Sequence, residues 1–316
     1  MNARPSGGLA LLALILVTSA TWTEAATATT RLIGVAKVDI TPAYPIRLSG
    51  YGSRRLESEG IEQRIWAKAL AFGSDAEGAA VLITVDNCGV PGEIREEVAR
   101  RLARQAHLKN ERLAISSSHT HSAPCLKGIL PNLFSQDIPP AHQEKIDRYT
   151  KELTDKLEQV ALAALADRRP GRLAWTQGKV SFAANRRTAG GPVDHDLPIL
   201  CVTDPAGKVR AVLANYACHC TTVSLNKVCG DWAGYAQEAI EREHPGAIAL
   251  VAIGCGADSN PTPRNTYENA RQHGEAIGTE VKRLLSGPLS PLLGRISCRT
   301  QPIELPFDTL PTRAEW

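Results

Sequence analysis

The sequence lacks several features that would assign it at once to a class of protein. Aromatic residues make up only 5% of its 316 residues, and the charges nearly balance, with 36 Lys and Arg against 33 Asp and Glu. No dense run of Lys or Arg is present. Because proteins that bind nucleic acid or an anionic membrane surface usually carry a basic patch, the balance favours a small-molecule partner over a polyanion.

Long apolar segments are also absent after the N-terminus. The one notable run covers residues 9–17, with Arg4 before it and small residues around 23–28 after it. This order is typical of a secretory signal peptide, and the run is too short to span a bilayer comfortably; an uncleaved anchor is the alternative. We therefore predict a signal peptide over residues 1–26 and an exported protein, periplasmic or extracellular, with no transmembrane anchor in the mature chain.

The eight cysteines form no C-x-x-C pair of the zinc-ribbon type. An even number in an exported chain permits disulfides, whereas several of these cysteines lie in or beside apolar strands, where buried thiols are common. Cys218 and Cys220 flank His219, but alternation along a strand would direct His219 to the face opposite both. We expect His219 to act without them, and the pairing of any disulfides stays open.

What the chain does contain is an alternation of apolar strands and amphipathic helices. Strands that are apolar along their whole length are buried on both faces, so we predict an α/β fold with a mixed, largely parallel sheet covered by helices on both faces. No repeat, low-complexity tract or linker divides the mature chain, which indicates a single domain. The predicted strands are 32–40, 66–72, 79–85, 112–116, 172–177, 197–203, 209–217, 247–253 and 295–305, and the predicted helices are 91–107, 139–167, 232–243 and 268–285.

Two histidines follow the fourth predicted strand. His119 and His121 are two positions apart, so an extended backbone would direct both side chains to the same side. Imidazole is largely neutral near pH 7 and can therefore bind a metal or carry a proton. The alternative is a surface loop that happens to contain two histidines.

Polar loops also follow three other apolar strands, and a charged segment lies between two more. Binding groups in α/β sheets gather beyond the carboxyl ends of the strands, so we predict that these loops share one cleft with the histidine pair. They are residues 86–89, His219 with Thr221 and Thr222, residues 254–261, and the charged segment 185–196.

Several of these segments resemble those of the neutral/alkaline ceramidases. Residues 118–124 resemble the family's H-T-H-S-x-P motif, and 217–222 with 230–235 resemble its second histidine region. Residues 38–42 with Gly50 and Tyr51 are similar to its opening, Asn185-Arg186 to its Asn-Arg segment, and 256–261 to its G-D-x-S-P-N turn, although the acid, serine and proline are displaced here. The matches follow the family's order from about residue 32 to 265, so we predict a ceramidase-like N-terminal domain over 27–316.

The resemblance implies a zinc-dependent amidohydrolase that cleaves the N-acyl bond of ceramide-like lipids. His119 and His219 match the family's histidine zinc ligands, and His121 and Arg186 match side chains near the scissile carbonyl. Ser259 falls near the serine of the turn, where the alternative is that Asp258 and Asn260 cap the loop. The oligomeric state is left open.

A catalytic zinc site usually has three protein ligands and one open position for water. The family's other two ligands, a glutamate and a tyrosine, and its immunoglobulin-like domain correspond to positions beyond Trp316. We therefore expect either a domain truncated at its C-terminus or an incomplete sequence. Asp86, Asp231 or Asp258 could complete the site, or orient the loops instead. The alternatives for function are hydrolysis of another N-acyl or sugar amide substrate, and an inactive relative that only binds a ligand.

Overall fold

The computed structural model describes residues 30–130 and 132–315, together with Met1, and the predicted signal peptide lies outside this part of the chain. The strands are β1 (Arg31–Asp39), β2 (Trp66–Phe72), β3 (Ala80–Val85), β4 (Leu113–Ser117), β5 (Arg169–Lys179), β6 (Ala183–Asn185), β7 (Asp196–Thr203), β8 (Val209–Tyr216), β9 (Ile248–Ile253), β10 (Ser259–Pro261) and β11 (Ser290–Pro291). The α-helices are α1 (Gly92–Ala106), α2 (Pro140–Ala166), α3 (Asp231–Glu243) and α4 (Tyr267–Leu285), and a short 3-10 helix covers Asn110–Arg112.

The long helix α2 illustrates why these segments become helical. Pro140 opens it, at a position where a missing backbone N–H costs nothing because the first turn has no acceptor for it. Leu153, Leu157 and Val160 then recur at helical spacing and are buried against the sheet. The predicted helices all form, with ends within about two residues of the expected ones.

The main sheet has the strand order β4-β3-β2-β1-β5-β7-β8-β9, with β11 beside β5. The mixed α/β sheet is confirmed, but the expectation that it is largely parallel needs correction. Only β3–β4 and β8–β9 are parallel, whereas the other pairs in this sheet are antiparallel. An apolar strand sequence indicates that both faces of the strand are buried, but it does not indicate whether the neighbouring strands are parallel or antiparallel. The parallel pairs are those whose strands are joined through a helix, α1 or α3.

The two halves of this sheet lie face to face. Lys68 on β2 donates a hydrogen bond to the carbonyl of Ala249 on β9, 2.8 Å away, although many strands separate the two in the sheet order. A buried apolar cluster between the halves includes Leu70 from β2 and Leu250 from β9. Helices α1 and α2 pack outside the first half, and α3 and α4 outside the second. The helices therefore cover the two outer faces, while the inner faces cover each other.

One predicted strand is not found, and three short ones, β6, β10 and β11, were missed. Residues 295–305 have no regular structure, and Ile303 and Leu305 are 74% and 80% exposed. β6 and β10 pair with each other outside the main sheet; at three residues each they are too short for a periodic pattern. No helix among the described residues is both long and apolar enough to cross a membrane.

Candidate metal centre

The four predicted loops meet at one end of the folded sheet. β3 and β4 run parallel, as do β8 and β9, so the carboxyl ends of each pair lie together, and β4 also contacts β9. Three hydrogen bonds join the loops. The His119 imidazole donates to the carbonyl of Cys88 at 2.7 Å. The amide of His121 donates to the carbonyl of Cys220 at 3.2 Å, and the amide of His219 donates to the carbonyl of Ser259 at 2.9 Å. The prediction of one shared cleft is therefore supported by direct contacts.

Three imidazoles form the centre of this cleft. The ring centroids of His119 and His219 are 4.7 Å apart, although a hundred residues separate them in the chain. His121 lies 4.8 Å from His119 and 5.7 Å from His219 by the same measure. Nε2 of His119 and Nε2 of His121 are 3.2 Å apart. Both members of the H-x-H pair therefore face one space, as predicted, but the predicted cause was wrong, because β4 ends at Ser117 and the backbone at His119 is not extended.

Backbone carbonyls fix the proton positions of two of these rings. Nδ1 of His119 lies 2.7 Å from the carbonyl oxygen of Cys88, and Nδ1 of His219 lies 2.7 Å from that of Gly256. Because a carbonyl only accepts hydrogen bonds, each Nδ1 must carry the proton, and the Nε2 of a neutral ring then has a free lone pair. Histidines that bind metals are usually oriented in this way.

The backbone at His119 is unusual. Its φ of 58° lies in the left-handed region, which few residues other than glycine adopt. The chain turns here directly after β4, and the turn brings the imidazole back toward the loop at Cys88. Such a conformation costs roughly 1–3 kcal/mol and is concentrated at functional sites.

His121 is enclosed by residues from the segment 50–54. A Cβ on Gly50 would lie only 2.3 Å from Cγ of His121, so this ring position requires glycine there. The Tyr51 ring meets His121 edge-on at 5.2 Å, and the Arg54 guanidinium donates to the His121 carbonyl. Burial, with the nearby His119, His219 and Arg54, lowers the pKa of His121 to about 3. His121 is therefore neutral at physiological pH.

Arg54 is a buried cation whose partners are all carbonyls. Besides His121, it donates to Ser49 at 2.6 Å and to Leu225 at 2.9 Å, and its guanidinium lies 4.8 Å from the centroid of the Tyr51 ring. It therefore joins three separate segments of chain beneath His121. Sequence reasoning missed this residue, and the signal available was an arginine next to the Gly-Tyr pair of residues 50 and 51.

The buried aspartates bind the backbone of the loops. Asp86 accepts from the Trp66 amide and from Gln237, both at 2.9 Å, and Asp231 accepts from the Val223 amide at 2.9 Å. Burial raises the pKa of both carboxyl groups. Neither belongs to the one group of potential metal ligands found among the described residues. Their contacts favour the orienting role over the ligand role.

Arg186 and Ser259 lie on the paired strands and loops beside His219. The Arg186 guanidinium donates to the Ala257 carbonyl at 2.8 Å and is otherwise exposed. Ser259 is 2% exposed, and its hydroxyl lies 3.4 Å from the carboxylate of Asp258. Ser259 therefore reaches the histidines through its backbone carbonyl, which accepts from the His219 amide, while the hydroxyl is turned toward Asp258. Arg186 is near enough to His219 to contribute to the lowering of its pKa, of which burial is the main cause.

The chain is similar in sequence to known ceramidases. Residues 31–257 match the family model described as neutral/alkaline non-lysosomal ceramidase, N-terminal. The neutral ceramidase of Drosophila melanogaster is 26% identical over 252 residues, which is 72% of this chain and 35% of that protein. The neutral ceramidase of Pseudomonas aeruginosa is 22% identical over 314 residues, 90% of this chain and 46% of that protein. The chain thus spans less than half the length of these relatives.

Solved structures show the same fold. The crystal structure of the Pseudomonas aeruginosa neutral ceramidase superposes with a TM-score of 0.72 at 21% identity, over 84% of this chain and 46% of that one. A ceramidase complexed with C2 gives a TM-score of 0.73 at 20% identity, over 84% and 45%. The folded mixed sheet, with its helices outside, is thus shared with both.

Proposed function

Because the chain belongs to the family of neutral/alkaline non-lysosomal ceramidases, by a match to their N-terminal domain, we propose that it hydrolyses the N-acyl amide bond of a ceramide-like lipid, with zinc bound by His119 and His219. The observation that carries the proposal is the orientation of these two rings. Each donates its Nδ1 proton to a carbonyl 2.7 Å away, and the rings approach each other from opposite halves of the sheet.

The donor set fits a zinc ion. Imidazole nitrogen is a usual zinc ligand, and the outer carbonyl partners are those expected around bound metal. A bound zinc ion lowers the pKa of a coordinated water and polarises the carbonyl of the substrate. The side chains around the site must then bind the substrate, orient it and stabilise the charge that develops.

We assign His121 to the substrate rather than to the metal. Its low pKa keeps the ring neutral, so it is suited to donate an N–H hydrogen bond to the developing oxyanion. Alternatively, its free nitrogen accepts the proton that the attacking water loses and passes that proton to the leaving amine. Arg186 provides a cation beside the His219 loop for the same oxyanion. Ser259 stays a predicted catalytic residue, although the contact of its hydroxyl with Asp258 supports the loop-capping alternative instead.

A cavity of about 410 Å³ supports a lipid-like substrate. Ser49 lines this cavity, and the next residue, Gly50, contacts His121. Ile129 also lines it and packs against Gly89, the residue after Cys88. About half of the lining residues are apolar, and the rest include Lys127, Gln136 and Asp137. An acyl chain would therefore meet an apolar wall that is mostly aliphatic beside polar groups, so the low aromatic content does not argue against it. The other apolar lining residues of the cavity include Leu126, Leu130, Leu133, Phe134, Ile138 and Ile146.

The test is hydrolysis of a panel of N-acyl substrates by the full chain supplied with zinc. The panel contains ceramides with long and short acyl chains, N-acyl amino acids and N-acetyl sugars, with release of the fatty acid measured by mass spectrometry. Release from long-chain ceramides, lost on chelation, supports the proposal. Release only from small N-acyl compounds supports the alternative substrate class, and zinc binding without release from any of them supports the ligand-binding alternative.

We further propose that the protein is exported, on the basis of the apolar run at residues 9–17 and the small residues after it. Fusion of residues 1–30 to a reporter that is active only outside the cytoplasm tests this. The expected result is activity of the reporter and a processed N-terminus near residue 27. A cytoplasmic, unprocessed fusion would contradict it.

A further inference from the structure

A thiol lies in the same space as the histidine pair. The Sγ atom of Cys88 and one ring nitrogen each from His119 and His121 all lie within 4.8 Å of one another. Cys88 is 6% exposed, so its sulfur is held inside the protein. Among residues 30–130 and 132–315 this is the one group of three or more His, Cys, Asp or Glu side chains with potential ligand atoms so close.

The local backbone positions this sulfur together with His119. The Cys88 carbonyl accepts the Nδ1 proton of His119 at 2.7 Å, so one residue both orients the imidazole and carries the thiol. The next residue, Gly89, packs so closely on Ile129 that an added Cβ would lie 2.9 Å from its Cδ1. Ile129, which lines the 410 Å³ cavity, therefore limits how far the Cys88 loop can move toward that cavity.

The charge around the histidines leaves a role for an anionic ligand. The imidazoles contribute no negative charge, and the buried cation beneath His121, Arg54, donates its hydrogen bonds to carbonyls. The carboxylates of Asp86 and Asp231 are engaged with the backbone and with Gln237. A divalent cation is bound more tightly when at least one ligand is negative, and a cysteine bound to metal is deprotonated.

We propose that Cys88 is a ligand of the metal, which it binds through its thiolate beside His119. On binding, the thiol proton leaves to solvent and a sulfur–metal bond forms. The ligand becomes a thiolate, so a divalent ion raises the net charge of the site by one unit and not by two. On a tetrahedral zinc ion, with Zn–S of about 2.3 Å and Zn–N of about 2.0 Å, sulfur and nitrogen ligands are about 3.5 Å apart. The distance between the Cys88 sulfur and the His119 ring nitrogen must therefore shorten by at most about 1.3 Å from its 4.8 Å limit. His219 lies outside this group, so its ring would have to approach the sulfur as the metal binds.

Such a site has a chemical consequence. A thiolate ligand favours zinc, cobalt and cadmium over the hard cations magnesium and manganese. The inference rests on the proposed function, since the metal is the same one, but it concerns the identity of a ligand and can be tested without measuring hydrolysis.

The experiment uses the full chain loaded with Co²⁺ and records its absorption spectrum. The expected result is a thiolate-to-cobalt charge-transfer band in the near ultraviolet together with the visible d–d bands. Cys88→Ser should lose the charge-transfer band while keeping visible bands. Cys125→Ser is the matched control, because Cys125 is buried like Cys88 and lies near the same Ser49 hydroxyl but outside the ligand group.

Each outcome separates the two proposals. Visible cobalt bands without a charge-transfer band in the wild-type chain, or a band that survives Cys88→Ser, would overturn the role of Cys88 and leave the two-histidine site in place. A charge-transfer band that depends on Cys88, in a chain that hydrolyses no N-acyl lipid, would support Cys88 and contradict the proposed function. A chain that binds no cobalt contradicts both. Circular dichroism of Cys88→Ser confirms that a lost band does not reflect unfolding.

Discussion

The indole nitrogen of Trp232 donates a hydrogen bond to the backbone carbonyl of His219, 2.9 Å away. Trp232 is fully buried in the first turn of α3, where Tyr216 and Phe182 pack around its ring. The bond therefore connects a metal-ligand candidate to the core of the second half of the sheet. Two hydrogen bonds therefore position His219. Its carbonyl accepts from the Trp232 indole, and its Nδ1 donates to the carbonyl of Gly256.

We expect Trp232→Phe to reduce both stability and zinc affinity. The substitution removes the shorter of two side-chain hydrogen bonds to the His219 carbonyl, the other coming from the Cys218 thiol at 3.5 Å, and leaves a small void. Together these losses should cost about 2 kcal/mol of unfolding free energy. Urea unfolding and zinc competition with a chelating dye measure the two effects. Lower stability with unchanged zinc affinity would show that Trp232 supports the fold but does not position His219.

Substitution of the three histidines should separate binding from turnover. His119→Ala and His219→Ala should abolish zinc binding, since each removes a ring whose Nε2 is free for the metal. His121→Ala should keep the metal and lower the turnover of the N-acyl substrate by about 100-fold to 10,000-fold, the range typical of a lost proton-transfer group. Zinc content by mass spectrometry and initial rates give the two readouts. Complete loss of metal from His121→Ala would refute this division of roles.

Gly50→Ala tests whether the His121 ring requires its present position. The new methyl group would overlap the ring at 2.3 Å, and φ at this residue is 90°, so the substitution should displace His121 and lower turnover at least 10-fold. Gly207→Ala is the control, because φ there is 89° but no atom lies within 4 Å of the added Cβ. Equal losses of activity in the two variants would attribute the effect to backbone strain and not to the His121 ring.

Arg54→Met should be strongly destabilising. It leaves the carbonyls of Ser49, His121 and Leu225 without their donor in a buried region, which should cost about 3 kcal/mol. Its exposed neighbour offers a control: Arg55→Met should change stability by less than about 0.5 kcal/mol. Thermal unfolding of the metal-free protein compares them, and similar unfolding temperatures would contradict the bridging role.

The metal-free protein should lose stability as the pH falls below about 6.5. In the folded state the pKa of His121 is held at about 3, whereas in the unfolded chain it returns to its ordinary value of about 6.5. The unfolded chain therefore binds the proton first, and His121 alone should remove about 1.4 kcal/mol per pH unit between these two values. Urea midpoints of wild type and His121→Asn from pH 7 to 4 measure it. The variant should show a shallower decline, and parallel curves would contradict the depressed pKa.

Much of the fold and the centre of the site could be predicted from local patterns. The helices and the long strands followed from apolar periodicity, and the convergence of four loops followed from their positions after strands. The direction of the strands could not be read in this way, because burial on both faces produces the same apolar run whether the neighbour is parallel or antiparallel. A better signal was present: the five residues between β7 and β8 allow only a hairpin, whereas α3 allows a parallel return.

The contacts around the site depend on tertiary structure that the sequence pattern does not encode. Arg54 lies beneath His121 because residues 49–54 pack against the histidine loop, which is about 70 residues later in the sequence. No local sequence pattern near Arg54 indicates that contact. Cys88 is buried, as expected of the cysteines beside apolar strands, but its distance from the histidine nitrogens depends on the left-handed turn at His119. The roles of Asp86 and Asp231 stayed open for the same reason, since an aspartate that binds a metal and one that binds amides look identical in a sequence.

The face-to-face arrangement of the two half-sheets has a kinetic consequence. His119 belongs to the first half and His219 to the second, so the pair of rings exists only after segments a hundred residues apart have docked. Contacts of such long sequence separation form slowly, because the loop between them must be closed before they contribute any stabilisation. The first half alone would offer a metal Cys88 and His119, and the second half alone only His219, so neither half holds the full set of proposed ligands. Tight metal capture would thus mark the last step of folding, and its rate would report when the two halves meet.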